Sequence, residues 1–113
     1  MKKGFWALTT VCILMLFVSF AAEAATIRIT NNSGQDIHEL NISSSETQDW
    51  GQDLLGQYYI PNGDVYDVNT WNYNQFDLQV VFSNGSYAYW REIHGNVVRF
   101  FVYPNRQAEW EWD

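Results

Sequence analysis

The sequence predicts an all-β fold: a small antiparallel β-sandwich of six to eight strands with one short helical turn, preceded by a cleaved signal peptide. Three observations point there. Apolar residues recur with a period of two, the repeat of a half-buried strand. Turn signals such as Asn84-Gly85 and Pro61-Asn62-Gly63 interrupt them every eight to twelve residues, the rhythm of a sandwich or barrel. The runs between the turns are rich in β-branched and aromatic residues.

Residues 1–24 read as a secretory signal. Lys2 and Lys3 give a basic start, an apolar stretch is densest from Val11 to Phe20, and Ala22-Glu23-Ala24 is a small-x-small cleavage site. The competing reading is an uncleaved anchor, because Gly4 to Ala22 carries no charge and a span needs about 20 apolar residues. The position of the Ala-x-Ala site and the lack of a second basic cluster favour cleavage before Ala25 and a secreted or periplasmic product. Cys12 lies inside the apolar run, not after it as a lipid anchor requires. The domain from Ala25 on therefore has no cysteine, hence no disulfide, thiol nucleophile or thiolate metal site.

Thr26 to Thr30 alternates, with Ile27 and Ile29 facing a core. Asn31-Asn32-Ser33-Gly34 is a turn, and Ile37 to Ile42 follows as a second strand, which we expect to form a hairpin with the first. Ile37, Leu40 and Ile42 break strict alternation and predict a bulge. Asp49 is placed to cap a helical turn through Leu55, with Gly56 as its stop. Tyr58 to Ile60 reads as a short strand, ended by the Pro61-Asn62-Gly63-Asp64 turn. Val65 to Trp71 alternates again. Phe76, Leu78, Val80 and Phe82 share one face of the next strand, and Asn84-Gly85 turns it into its partner, Ser86 to Ile93. His94-Gly95-Asn96 is a turn, Val97 to Tyr103 is a strand that Pro104 ends, and Arg106 to Asp113 is a candidate edge strand.

Residues 25–113 form one domain of 89 residues, near the lower size for a core without staples. Five Trp, seven Tyr and four Phe supply the bulk. Four arginines stand against twelve Asp and Glu, a formal charge of −8. Nucleic acid and anionic membrane surfaces are therefore excluded as favoured partners. Neutral sugars, cations and basic protein surfaces remain compatible.

Trp50-Gly51-Gln52-Asp53-Leu54-Leu55-Gly56, then Ile60-Pro61-Asn62-Gly63, then Phe76 to Phe82 running into Asn84-Gly85, resembles a pattern in a family of short exported bacterial β proteins. The resemblance covers about half of the domain. It implies an exported β protein and brings no activity, because the family is uncharacterised. The argininosuccinate-lyase label carried by some members does not transfer: those lyases are large helical tetramers, and this chain has no means of building their site.

Four constellations carry candidate chemistry. Trp71, Tyr73, Tyr87, Tyr89 and Trp90 are candidate ligand-binding residues, since sugar rings stack on exposed aromatics. Alternation puts Tyr87 and Tyr89 on one face of their strand and Ala88 and Trp90 on the other. An exposed row is informative and a buried one is not. Asp49, Asp53, Asp64 and Asp67 are candidate oxygen ligands for calcium, which needs six to eight oxygens. The competing reading makes the Trp50 to Gly56 segment a structural plug, with its aspartates capping backbone N–H groups. His38 and His94 would need Glu39 or Glu92 for a zinc site and fit no motif. Arg91 and Glu92 are expected beside Arg99 on an adjacent strand. Asn31, Asn41 and Asn84 open Asn-x-Ser sequons.

The sequence thus points to a non-enzymatic, exported binding or interaction module for a carbohydrate or another protein, with no resident cofactor. Its alternatives are a calcium-supported structural domain and a small hydrolase.

Overall fold

A computed structural model describes residues 25–47 and 49–112. The signal sequence, its cleavage site and Cys12 lie outside the described residues, as do Gln48 and Asp113. Among the described residues seven strands form two sheets: β1 Thr26–Asn31, β2 Ile37–Ser44, β3 Val65–Asn69, β4 Gln75–Phe82, β5 Tyr87–His94, β6 Val97–Tyr103 and β7 Gln107–Trp112. One sheet runs β3-β1-β6-β7 and the other β2-β4-β5. Pairing is antiparallel except between β1 and β6.

Alternation places the core. Ile27 and Ile29 from β1, Val68 from β3 and Phe100 and Val102 from β6 face Leu40, Leu78, Val80, Phe82 and Ala88 from the other sheet. Fully burying one such aliphatic or aromatic side chain stabilises by roughly 1.5–3 kcal/mol. β6 lies inside its sheet between β1 and β7, with Val97, Phe100 and Val102 buried and the residues of its other face half-buried. The tail is ordered as β7, with Phe100 and Trp110 rings nearly parallel and 5.4 Å apart.

The expected β1–β2 hairpin does not form. β1 pairs with β3 and β6, and β2 crosses to the other sheet and pairs with β4. The cause is the corner at Asn31, which is fully buried. Its Nδ2 donates to the carbonyls of Gln35 (2.7 Å) and Ile60 (2.9 Å), and its Oδ1 accepts from the Ser33 N–H (3.1 Å) and hydroxyl (2.6 Å). These bonds hold the chain in a corner between sheets, not in a two-strand turn.

The bulge expected in β2 is present, with a register shift between Ile37 and Glu39 against β4. No helical turn forms from Asp49 to Leu55. Among the described residues a short 3-10 turn lies instead at Pro104–Arg106, between β6 and β7. Asp53 directs its side chain to the β2 edge instead: its Oδ1 accepts from the Leu40 N–H (2.9 Å) and from its own neighbour, the Leu55 N–H (3.0 Å). The Leu54 N–H donates to the Leu40 carbonyl at 2.7 Å. The segment thus covers the outer edge of β2, which an open sheet must protect, and it buries Leu55. Tyr58 to Ile60 contributes one bridge, Ile37 to Ile60, and no strand.

β5 and β6 also lie in different sheets, so Arg91 and Glu92 do not meet Arg99. Arg91 pairs with Asp77 at 2.8 Å, and Arg99 pairs with Glu111 at 2.6 Å. Gly95 permits the β5–β6 crossing because a Cβ there would overlap the Tyr73 carbonyl oxygen. Of the sequons, Asn31 and Asn41 are buried by the fold, and Asn84 sits exposed in the β4–β5 turn.

Asn31→Ala should lower stability by about 2 kcal/mol, because the buried Ser33 N–H loses its acceptor and the Gln35 and Ile60 carbonyls each lose one of two donors. Urea unfolding checks this, and an unchanged midpoint would show that the corner is held some other way.

Candidate functional site

The outer face of β5 carries the exposed set that alternation predicts. Tyr87 and Tyr89 are 50% and 49% exposed, while Ala88 is buried. The two tyrosine rings lie nearly parallel, 12° apart in plane, with centroids 6.3 Å apart. Trp50 meets Tyr89 edge-on at 6.1 Å. It comes from the segment that covers β2, where the Asn41 amide donates to the Gln52 carbonyl at 3.1 Å.

Two arginines complete the row. The Arg91 guanidinium lies 5.1 Å from both the Trp50 and the Tyr89 ring centroids. That of Arg106 lies 5.8 Å over Tyr87. Each such contact contributes about 0.5–1 kcal/mol at an exposed site.

Arg91 is aimed by Asp77. The β4–β5 register jumps between Phe76–Ile93 and Leu78–Trp90, so Asp77 faces a bulge containing Arg91 and Glu92. Glu92 is left-handed there, with φ 59°. The Asp77 side chain is 3% exposed. Its Oδ1 accepts from the Glu92 N–H (2.9 Å) and the Ser45 hydroxyl (2.7 Å), and its Oδ2 accepts from Arg91 Nη1 (2.8 Å). Burial pushes its pKa up. The Glu92 and Ser45 hydrogen bonds and the Arg91 charge outweigh burial and hold it below the ordinary carboxylate value.

Arg106 comes from a hairpin turn. The Gln107 N–H bonds the Pro104 carbonyl, and both residues between are left-handed: Asn105 at φ 63° and Arg106 at φ 62°. Asn-Gly is the usual choice for such a pair. Arg106 Nε donates to the Tyr87 carbonyl at 3.2 Å. Two grooves meet here. One, of about 430 Å³, is lined in part by Ser33, Gln35, Tyr87, Tyr103, Asn105 and Arg106. The other, of about 420 Å³, lies between Tyr87, Tyr89 and Arg106. Neither is lined by a carboxylate or an imidazole among the described residues.

The remaining candidates lie elsewhere. Trp90 packs inward, edge-on to Phe100 at 5.1 Å, and lies half-buried against the core. Trp71 and Tyr73 pair with each other at 6.3 Å in the loop before β4, at the end of the sheet away from Tyr87. Trp71 is 49% exposed and left-handed, with φ 53°.

The four aspartates do not converge. Asp49 accepts from the Gly51 N–H at 3.1 Å, and Asp53 is bound to the β2 edge. Asp64 sits in the turn after Pro61, and Asp67 forms a two-point pair with Arg28 at 2.9 and 3.2 Å. Among the described residues no three His, Cys, Asp or Glu form a group fit to hold a metal.

Alternation alone reached Tyr87 and Tyr89 and would have reached Arg91, which lies two residues further on the same face. Trp50 and Arg106 come from a covering segment and a turn, where no periodicity signals them.

No family model matches the chain, and no curated protein matches it. A solved structure, the NMR structure of a protein from Eubacterium rectale, resembles it with a TM-score of 0.55 at 12% identity. The match covers 85% of this chain and 94% of that one. At that identity the likeness shows the fold alone.

Asp77 makes stability depend on pH in a defined direction. Its folded pKa is depressed, so its contribution is complete above the ordinary value of about 3.9 and is lost as pH falls through the lower folded value. Asp77→Asn should cost about 2 kcal/mol at neutral pH. The variant should also lose less stability than the parent on acidification from about pH 5 to about pH 2. Urea midpoints across that range test both points, and parallel curves would contradict them. Trp71→Asn should raise stability by roughly 0.5–1 kcal/mol, because asparagine adopts the left-handed turn at less cost. Thermal melts check this, and a fall in the midpoint would show that the ring contributes more than the strain.

Proposed function

We propose that the domain is an exported binding module whose β5 face takes a carbohydrate chain. The observation that carries this reading is the exposed, nearly parallel pair Tyr87 and Tyr89, bordered by two grooves. An apolar ring on a solvated sheet face gains little for folding. It offers a surface on which the C–H face of a sugar can bury apolar area. The neighbouring Gln35, Ser33 and Asn105 supply the amides and hydroxyls that sugar hydroxyls need. The protein's acidity is compatible with this ligand class, since sugars do not depend on an attractive field. Export rests on the basic and apolar pattern of residues 1–24.

A protein partner is the second reading. The Tyr, Trp and Arg content of the row favours it, because these residues dominate interface hot spots.

Tyr87→Ala and Tyr89→Ala should each weaken glycan binding at least about tenfold, or roughly 1.4 kcal/mol. Trp71→Ala, at the far end of the sheet, should leave it unchanged. A glycan array with the purified domain, followed by calorimetry on the variants, measures this. An array with no bound glycan would remove the carbohydrate reading and leave the protein partner.

A further inference from the structure

We propose that the sugar taken by this face carries a carboxylate, and that Arg106 is the residue that holds it. The inference rests on the carbohydrate reading above and goes beyond it by naming the ligand's charge and the group that reads it.

The case begins with ion pairs. Residues 25–113 contain four arginines and twelve acids. Arg28, Arg91 and Arg99 each close a pair with a carboxylate, with Asp67, Asp77 and Glu111 respectively. No ion pair among the described residues includes Arg106. In a domain with three acids for every arginine, a guanidinium without a carboxylate is not the expected outcome.

The position of that guanidinium is also specific. It borders both grooves, and the pair of grooves shares it with Tyr87. Its side chain is oriented at two points: Nε donates to the Tyr87 carbonyl, and the guanidinium carbon sits over the Tyr87 ring. A guanidinium has five N–H donors, and Nε uses one. The terminal nitrogens have no acceptor among the described residues. Two terminal N–H groups in one plane match the two oxygens of a carboxylate.

The backbone supplies an independent sign. Arg106 occupies the second left-handed position of the hairpin turn, where glycine would fit at less cost. Strain of this kind persists when the surroundings fix it, and it concentrates at ligand sites. The turn presents the arginine at the groove at a cost that turn formation alone does not require.

The surrounding charge narrows the ligand further. Tyr103, in the wall of the larger groove, donates its hydroxyl to Glu109 at 3.4 Å. The domain's charge of −8 repels densely charged chains. The fitting ligand carries at most one carboxylate per ring, as in a uronic or sialic acid, and is not a heavily sulfated chain.

The test uses matched probes: sialyllactose against lactose, an oligogalacturonate against its methyl ester, and a heparin fragment as a densely charged control. The carboxylate member should bind about tenfold more tightly than its neutral partner, and more tightly than heparin. Arg106→Gln should reduce that ratio to near one, and a near-UV circular dichroism spectrum matching the parent's reports that the variant is folded. Equal binding within the pairs would overturn the carboxylate inference and leave the sugar platform in place. A preference that survives Arg106→Gln, or tighter binding of heparin, would overturn the role of Arg106. No binding of any probe would overturn both readings.

Discussion

A carboxylate removed from water must be fully paired, and Asp77 meets that condition with three donors, one from the end of β2 and two from β5. Much of the exposed face follows from this one group. The Glu92 N–H reaches it only because β5 bulges and Glu92 turns left-handed. Arg91 is drawn to it and so lies beside both Trp50 and Tyr89. Ser45 anchors the end of β2 to the same oxygen as the Glu92 amide. A core-side constraint thereby sets the geometry of a solvent-side row.

The rest of the fold supports the same arrangement without a covalent staple in the described residues. The sheets are joined by corners instead of hairpins at Asn31 and Gly95, and each has a distinct cause. Asn31 adds four side-chain hydrogen bonds to its backbone pairing at the end of β1. Gly95 allows two chain segments to approach more closely than any side chain permits. Trp90 from β5 packs edge-on to Phe100 of β6, and Trp110 of β7 stacks on the same ring. Tyr87 and Tyr89 are left over from this packing, which is why their exposure is informative.

The sequence revealed the strands well, because period-two burial is a local property. The face of β4 and the split between Tyr87–Tyr89 and Ala88–Trp90 were both legible in it. Sheet membership was not legible. Nothing local distinguishes an Asn31 corner from a hairpin turn, since both use the same turn residues. Asp53 looked like part of a helical turn, but the free edge of β2 offered its carboxylate a better partner in the Leu40 N–H. Half of the candidate site was equally hidden. Trp50 and Arg106 approach Tyr89 and Tyr87 from 39 and 19 residues away in the chain, and such long-range contacts leave no periodic trace.

On the proposed carbohydrate reading, ligand sits on the row from Trp50 to Arg106 and not on one of the other exposed aromatic patches. An NMR titration of residues 25–113 with an oligogalacturonate tests it most directly, because it reports every exposed ring at once. The account predicts that resonances of Trp50, Tyr87, Tyr89 and the Arg106 guanidinium shift together while Trp71, Tyr73 and Trp112 stay fixed. Shifts centred on the Trp71–Tyr73 loop or on Trp112, with Tyr87 and Tyr89 unmoved, would contradict it.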